Sequence, residues 1–523
     1  MRTHFSRYRK LGLGIISLSL LFFFSGCKKF LDTQRQGEYA AEDYPYPGGA
    51  GPYDQFIFGA YNYLRNFDVH VFGFLHATSI RSDDADKGST PADGGANSLE
   101  MDNFPVSPTN GFANSLWTGY YGLINQCNNA IYEVTSNTEI EATEDIKQQT
   151  LAEARFIRGY AYFMLVRLYG RVPLIDTLYS DPAAQNNVPQ STPAQLYPFI
   201  EEDLTFAMTY LPVSWDAKFV GRVTKGAAQG MLAKVYLTQK KWAQAMGMAQ
   251  AVMTSGRYGF AQPPTGSNLS SYDFLFREEG ENSRESLFEI QATASATIPT
   301  DNGIQYTQVQ SIRGTGEWNF GWGFNTPSEA LANAYEAGDP RRARTILFTS
   351  TPTTPGVTIY GETTPVGLPN PRYNQKVYSN PAIKATVGSR SGWWMNVRIL
   401  RYADVVLMFA EAANELGGAA NITAAREALN SVRARARGSN NSILPDVTTQ
   451  DQGELREAIR RERRVELGME HDRFFDLVRW GIAQEALQAV GKTAFNEARD
   501  VVLPIPQTQI DLSNGVLTQN PNY

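Results

Sequence analysis

Cysteine is scarce in this chain: Cys27 and Cys127 are the only two in 523 residues. Cys27 closes an N-terminal export signal, so one thiol is left in the body of the protein and an internal disulfide framework is excluded. Histidine is nearly as scarce, with His70 and His76 six apart in a turn-rich stretch and His471 distant, a spacing that does not make a zinc site. The common catalytic signatures are missing too: no His-Glu-x-x-His, no Gly-x-Ser-x-Gly, no Gly-x-x-x-x-Gly-Lys-Ser/Thr loop and no dinucleotide glycine fingerprint. Positive charge is in deficit. The 47 Lys and Arg against 53 Asp and Glu give a net charge of −6, and without Arg2, Arg7, Arg9 and Lys10 of the export signal the balance is 43 against 53, or −10. That argues against nucleic acid as a partner.

What is present begins with those four basic residues. They precede an uncharged apolar run over residues 11–24, followed at once by Ser25, Gly26 and Cys27. A membrane helix needs about 20 apolar residues, and this run is shorter and stops at small residues beside a cysteine. Cleavage before Cys27 and lipidation of its thiol are expected, with three acyl chains exceeding the two signals that stable anchoring takes. No second apolar run of membrane length follows.

The body reads as helical pairs. Ala154, Ile157, Ala161, Met164, Leu165 and Leu168 make one apolar face, and Gly170 and Pro173 end that helix. A second pair runs from an N-cap at Thr224 through small residues to Tyr236, turns at Lys240 and Lys241, and returns through Trp242, Ala245, Ala249 and Val252 to Gly256. It occupies about 35 residues, the period of a tetratricopeptide repeat. Ala403 to Ala413 and residues 424–435, joined at Gly417 and Gly418, form a third pair, and a fourth begins near Leu455 and continues to Trp480. Such units bury their faces only by stacking. The expected fold is mainly all-α, a tetratricopeptide-like helical-repeat scaffold with a loop-rich insertion carrying short strands. The expected organisation is a signal at 1–26, an N-terminal region at 27–258, a loop-rich ligand-binding insertion at 259–394 and a C-terminal helical region at 395–523. Residues 37–112 also read as loop-rich, and Cys127 as a buried, inert residue in a helix.

Five segments in this order resemble the SusD/RagB family. They are the start at Cys27-Lys28-Lys29-Phe30-Leu31-Asp32; Glu153, Arg155, Arg158, Tyr160 and Tyr162 with Tyr169-Gly170 and Pro173; the run from Leu400 and Arg401 through Asp404 and Glu411 to Glu415; Glu462-Arg463-Arg464 and Glu466 with Arg473, Asp476, Arg479 and Trp480; and the ending from Leu503 and Pro504 to Asn520-Pro521-Asn522-Tyr523. The resemblance implies a cell-surface lipoprotein of the outer membrane that binds oligosaccharide. It would lie as a lid over a SusC-like, TonB-dependent transporter and deliver the ligand to it. No catalytic residue and no cofactor come with it. Two other readings stay open: a peptide-presenting lid on the same scaffold, and a surface glycan hydrolase.

Glu462 and Glu466 share a helix face, with Arg460, Arg463 and Arg464 as partners on offer, so the cluster reads as paired charges between packed helices. Sugars need exposed flat aromatics ringed by amides, carboxylates or arginine. Arg313, Trp318, Asn319, Phe320 and Trp322 have that composition, and in an extended stretch Trp318, Phe320 and Trp322 would share one face. Asp83 and Asp84, with Asn103, join this candidate surface from the first loop region. With Asp86 and Gly88 they resemble part of a calcium loop, but Gly95 stands where an EF-hand needs glutamate, so solvated loop acids are expected. Trp117, Trp393, Trp394 and Trp480 are expected to pack.

Overall fold

Single residues decide where the helices begin and end. The computed structural model describes residues 51–293 and 303–523, and residues 53–523 form one compact unit. The Cys27 anchor and the other N-terminal features lie outside the described residues. Helices of eight residues or more are labelled α1 (Asp54–Tyr63), α2 (Gly95–Asn103), α3 (Gly111–Ser136), α4 (Glu144–Tyr169), α5 (Pro193–Tyr210) and α6 (Lys225–Thr238). They continue with α7 (Trp242–Met253), α8 (Tyr402–Leu416), α9 (Ala419–Arg437), α10 (Gln452–Leu467) and α11 (Arg473–Trp480). Thr224 Oγ1 accepts the Ala227 N–H at 3.2 Å to cap α6, and Asp451 Oδ1 accepts the Glu454 N–H at 2.8 Å to cap α10. Gly170 ends α4 at φ +74°, a left-handed conformation that side chains disfavour.

The helices stack in chain order. α1 packs on α3, α3 on α4, α4 on α5, α5 on α6, α6 on α7, α7 on α8, and α8 on both α9 and α10. Each unit buries the face of its neighbour, and one continuous core results, with Ile57, Tyr120, Phe156, Met231, Val252 and Leu407 among its members. α7 and α8 touch although residues 259–394 lie near or between them in sequence, so that stretch leaves the stack unbroken. Gly230 of α6 admits Leu287 closely, since a Cβ there would come within 2.7 Å of that side chain.

Leu287 belongs to β2 (Ser286–Ile290), the short strand expected there, which pairs antiparallel with β6 (Val397–Arg401) just before α8. β1 (Ala85–Gly88) pairs antiparallel with β3 (Phe324–Pro327), setting Ala85 opposite Pro327, and β4 (Ile346–Phe348) pairs with β5 (Arg372–Asn374). Residues 37–112, expected as loops, in fact hold α1, α2 and a run of helical turns over 67–80 among the described residues. The reason is burial. Ile57, Ala60 and Leu64 join the main core, which outweighs the turn-forming glycines and prolines around them.

Candidate functional site

Charged side chains separate first into those the fold uses itself. Glu466, on α10, accepts from Arg341 Nη1 at 3.0 Å and Arg401 Nη1 at 2.6 Å, and Arg435 reaches it as well. Burial alone would raise its pKa, but Arg435, Arg401 and Arg341 together hold the carboxyl far below the ordinary range. Glu462 takes Arg341 Nη1 at 2.5 Å and Arg433 Nη1 at 2.9 Å. The partners therefore come from other segments, not from the same helix face. Arg463 binds Asp404 Oδ1 at 2.5 Å and Asp476 Oδ2 at 2.7 Å, while Arg460 pairs with Glu457.

The same network captures two residues expected at the ligand surface. Asp83 and Asp84 are 3% and 1% exposed. Arg473 Nε donates to Asp83 Oδ1 at 2.8 Å, and Arg464 Nε to Asp84 Oδ1 at 2.7 Å. They are not solvated loop acids: buried and paired, they tie β1 and its approach to α10 and α11. Asn103 ends α2 and is exposed. The histidines are likewise engaged: His70 Nδ1 donates to the Leu64 carbonyl at 2.8 Å, its Nε2 meets the Tyr160 hydroxyl at 2.6 Å, and burial pushes its pKa down to about 3. His471 Nε2 meets the Tyr306 hydroxyl at 2.5 Å. Among the described residues no group of three acidic, histidine or cysteine side chains is placed to hold a metal ion. Cys127 is buried in α3, and burial raises its thiol well above neutrality.

The stretch 313–323 is not extended. Gly316–Trp318 forms a 3-10 turn, and the aromatics go to different clusters. Phe320 is 8% exposed among Ile312, Leu347, Tyr373 and Tyr378, with the Arg390 guanidinium 4.4 Å above its ring. It is a packing residue, contrary to expectation, because its ring completes that cluster. Trp318 is half-buried at the edge of the cluster, 6.4 Å from Phe320. Arg313 reaches Asp93 at 3.2 Å, and Asn319 is exposed.

Trp322 packs instead against the main core, and around it lies a patch that the sequence did not bring together. Phe72 meets Trp322 edge-on at 5.9 Å, and Phe67, 39% exposed, lies 6.5 Å from it. Gln308 links Trp322 to Trp393: its carbonyl accepts the Trp322 N–H at 2.8 Å, and its Oε1 accepts the Trp393 indole N–H at 2.8 Å. Gln305 Nε2 donates to the same Oε1 at 3.2 Å. Trp322 and Trp393 are half-buried, and Trp394, by contrast, is buried with its indole N–H on Glu278. Beside this patch a cleft of about 280 Å³ is lined by Arg65, Phe67, Val71, Gln305 and Trp393. Partly exposed rings held by core contacts, with amides and a guanidinium at their margin, are what a stacking site for a sugar face requires.

Comparison with known proteins fits this architecture. A family model described as "SusD family" matches residues 284–523, and a second, "Starch-binding associating with outer membrane", matches residues 76–237. The chain belongs to the SusD/RagB family. A SusD-like protein of Formosa agariphila is 29% identical over 85% of this chain and 87% of its own length. Among solved structures, a laminarin binding SusD-like protein aligns with a TM-score of 0.72 at 28% identity, covering 90% of this chain and 99% of that one. Surface glycan-binding protein A from Bacteroides fluxus aligns at 0.73 and 25% identity over 91% and 100% of the two chains.

For this SusD family chain, membership settles the scaffold and leaves the ligand surface to its own residues. Of the residues in this candidate patch the sequence reading named Trp322; Phe67, Gln305, Gln308 and Arg65 were not among its candidates, and Trp393 was expected to pack. No local pattern in the sequence marks Phe67, whose exposure is visible only in the folded chain. Among the described residues no helix is long and apolar enough to cross a membrane.

Proposed function

We propose that this SusD family chain is a cell-surface lipoprotein, anchored through Cys27, that binds oligosaccharide and passes it to a SusC-like, TonB-dependent outer-membrane transporter. The observation that carries the reading is the Phe67–Trp322–Trp393 patch, with Gln308 holding the Trp393 indole through its side chain and the Trp322 backbone through its carbonyl. The helical core does not require the exposure of Phe67, and a pyranose face would cover it. The naming of one 28%-identical neighbour as laminarin binding, and of a 25%-identical one as surface glycan-binding, supports the same ligand class. The outer-membrane description of the matching family model supports the location.

A sugar face covering about 50 Å² of indole gains roughly 1.2 kcal/mol at about 25 cal/mol per Å². A few such contacts, less the cost of ordering a flexible chain, give a dissociation constant on the order of 10 µM to 1 mM, weak enough for a ligand that is handed on. Titration calorimetry of the full chain against a panel of soluble glycans and peptides tests the ligand class. Binding of at least one glycan in that range is expected, and a panel in which only peptides bind would overturn the reading. For the anchor, lipid labelling in cells is expected to disappear in Cys27→Ala; labelling that persists would place the acylation elsewhere.

A further inference from the structure

Two further clefts open beside the one at Phe67. One, of about 740 Å³, lies between α1 and the loop 216–222 and shares Arg65 with the aromatic patch. The other, of about 410 Å³, lies against the far side of the same loop, and both have Phe219, Val220, Gly221, Arg222 and Glu289 in their walls. Charge is distributed unevenly along them. Arg222 is engaged by Glu153, with Nε to Oε2 at 2.9 Å, and by Asp54 at 3.5 Å. Glu289 accepts the Asn282 N–H at 3.2 Å and the Asn396 amide at 3.0 Å, with Arg398 3.8 Å away. The other four cations of the walls, Arg65, Lys218, Arg257 and Arg284, form no ion pair among the described residues, and Asp216 is the one acid of these walls in the same state. Arg284 makes only a long bond, 3.4 Å, to the Tyr258 carbonyl.

This excess of cations stands in a chain of net charge −6. Among the described residues Arg81, Arg171, Arg342, Arg372 and Arg426 also lack a carboxylate partner but donate to backbone carbonyls; Arg65, Lys218, Arg257 and Arg284 differ in standing together along one pair of clefts, where they are available to an anion. A guanidinium presents a planar fork that fits a carboxylate or a sulfate ester.

We infer that these clefts take the acidic groups of a charged oligosaccharide, a uronate or a sulfate ester, while its neutral faces stack at the Phe67–Trp322–Trp393 patch. The saccharide part of this inference rests on the glycan-binding reading; the anionic part rests on the charges of the clefts. Arg257 and Arg284 are exposed, so their replacement leaves the fold intact.

The test compares the full chain with the double variant Arg257→Gln/Arg284→Gln by titration calorimetry, using laminarihexaose, an oligouronate of similar length and a sulfated laminari-oligosaccharide. One or both acidic probes are expected to bind the parent more tightly than the neutral one. That preference should shrink as sodium chloride rises from about 50 to 500 mM, because salt screens exposed charges. In the double variant, affinity for the preferred acidic probe is expected to fall about tenfold, a loss typical of charged hydrogen bonds, with neutral binding unchanged. The uronate and sulfate arms show which anion is the source of the preference. Equal affinity for neutral and acidic probes, or acidic binding indifferent to both arginines, overturns the inference while the glycan reading stands. Failure of every glycan to bind overturns both.

Discussion

The C-terminal ionic network and the clefts around loop 216–222 are built from the same side chains and do opposite things. Around Glu466, arginines from three separate segments converge on one carboxylate, and every member is buried. Around loop 216–222, arginines and a lysine stand without carboxylates on the walls of open clefts. Matched charges inside the protein fix how helices, strands and insertion meet, since breaking one pair leaves the other charge without solvent. Unmatched charges and half-exposed rings at the surface contribute little to folding and remain available to a ligand.

The comparison breaks most sharply at Arg463, which holds Asp404, Asp476 and, at 3.7 Å, Asp472. Arg463→Ala is expected to lower stability by about 3 to 5 kcal/mol, read by chemical denaturation, with the glycan affinity of the folded protein unchanged. Phe320→Ala, which empties the centre of its cluster, is expected to cost about 3 kcal/mol and likewise to spare binding. If it instead weakens binding at full stability, Phe320 belongs to the ligand surface after all. Trp322→Ala is expected to weaken the glycan affinity of the folded protein about tenfold, or roughly 1.2 kcal/mol, with circular dichroism unchanged and only a moderate fall in melting temperature from the core contacts of one ring face.

A further effect concerns pH. Burial raises the Glu281 carboxyl to about 8, although Arg398 and the Asn396 N–H at 2.7 Å oppose that rise. A carboxyl whose folded pKa lies above its unfolded value contributes stability that is complete at acid pH and is lost as pH rises towards about 8. Glu466, held below its unfolded value, acts in the opposite sense, and its contribution is lost as pH falls through the carboxylate range. Glu281→Gln, which keeps an acceptor for Asn396, is therefore expected to raise the melting temperature relative to the parent at pH about 9 and not at pH about 5. Equal shifts at both values would remove Glu281 from the account.

How much of this was legible in the sequence follows the distance over which each feature acts. Helices with a capping Thr224 or a terminating Gly170 were legible because the signals lie within one turn of the boundary. The shared face of Glu462 and Glu466 was legible from their spacing, but their partners Arg341 and Arg433 were not, since no local pattern points across the 121 residues from Arg341 to Glu462. Asp83 and Asp84 look like loop acids beside a glycine until Arg464, 380 residues away from Asp84, closes on them. The alternation of Trp318, Phe320 and Trp322 suggested one face, and the 3-10 turn at Gly316–Trp318 broke it. The proposed ligand patch draws Phe67, Gln308 and Trp393 from three regions, and only the folded chain puts them together.

The account therefore stands or falls on where a glycan sits. A crystal structure of the full chain with its tightest oligosaccharide from the panel is expected to show a sugar ring within about 4 Å of the Trp322 or Phe67 ring, with a hydroxyl near the Gln305 or Gln308 amide. A sugar ordered on Trp318, with the Phe67–Trp322–Trp393 patch bare, would contradict it.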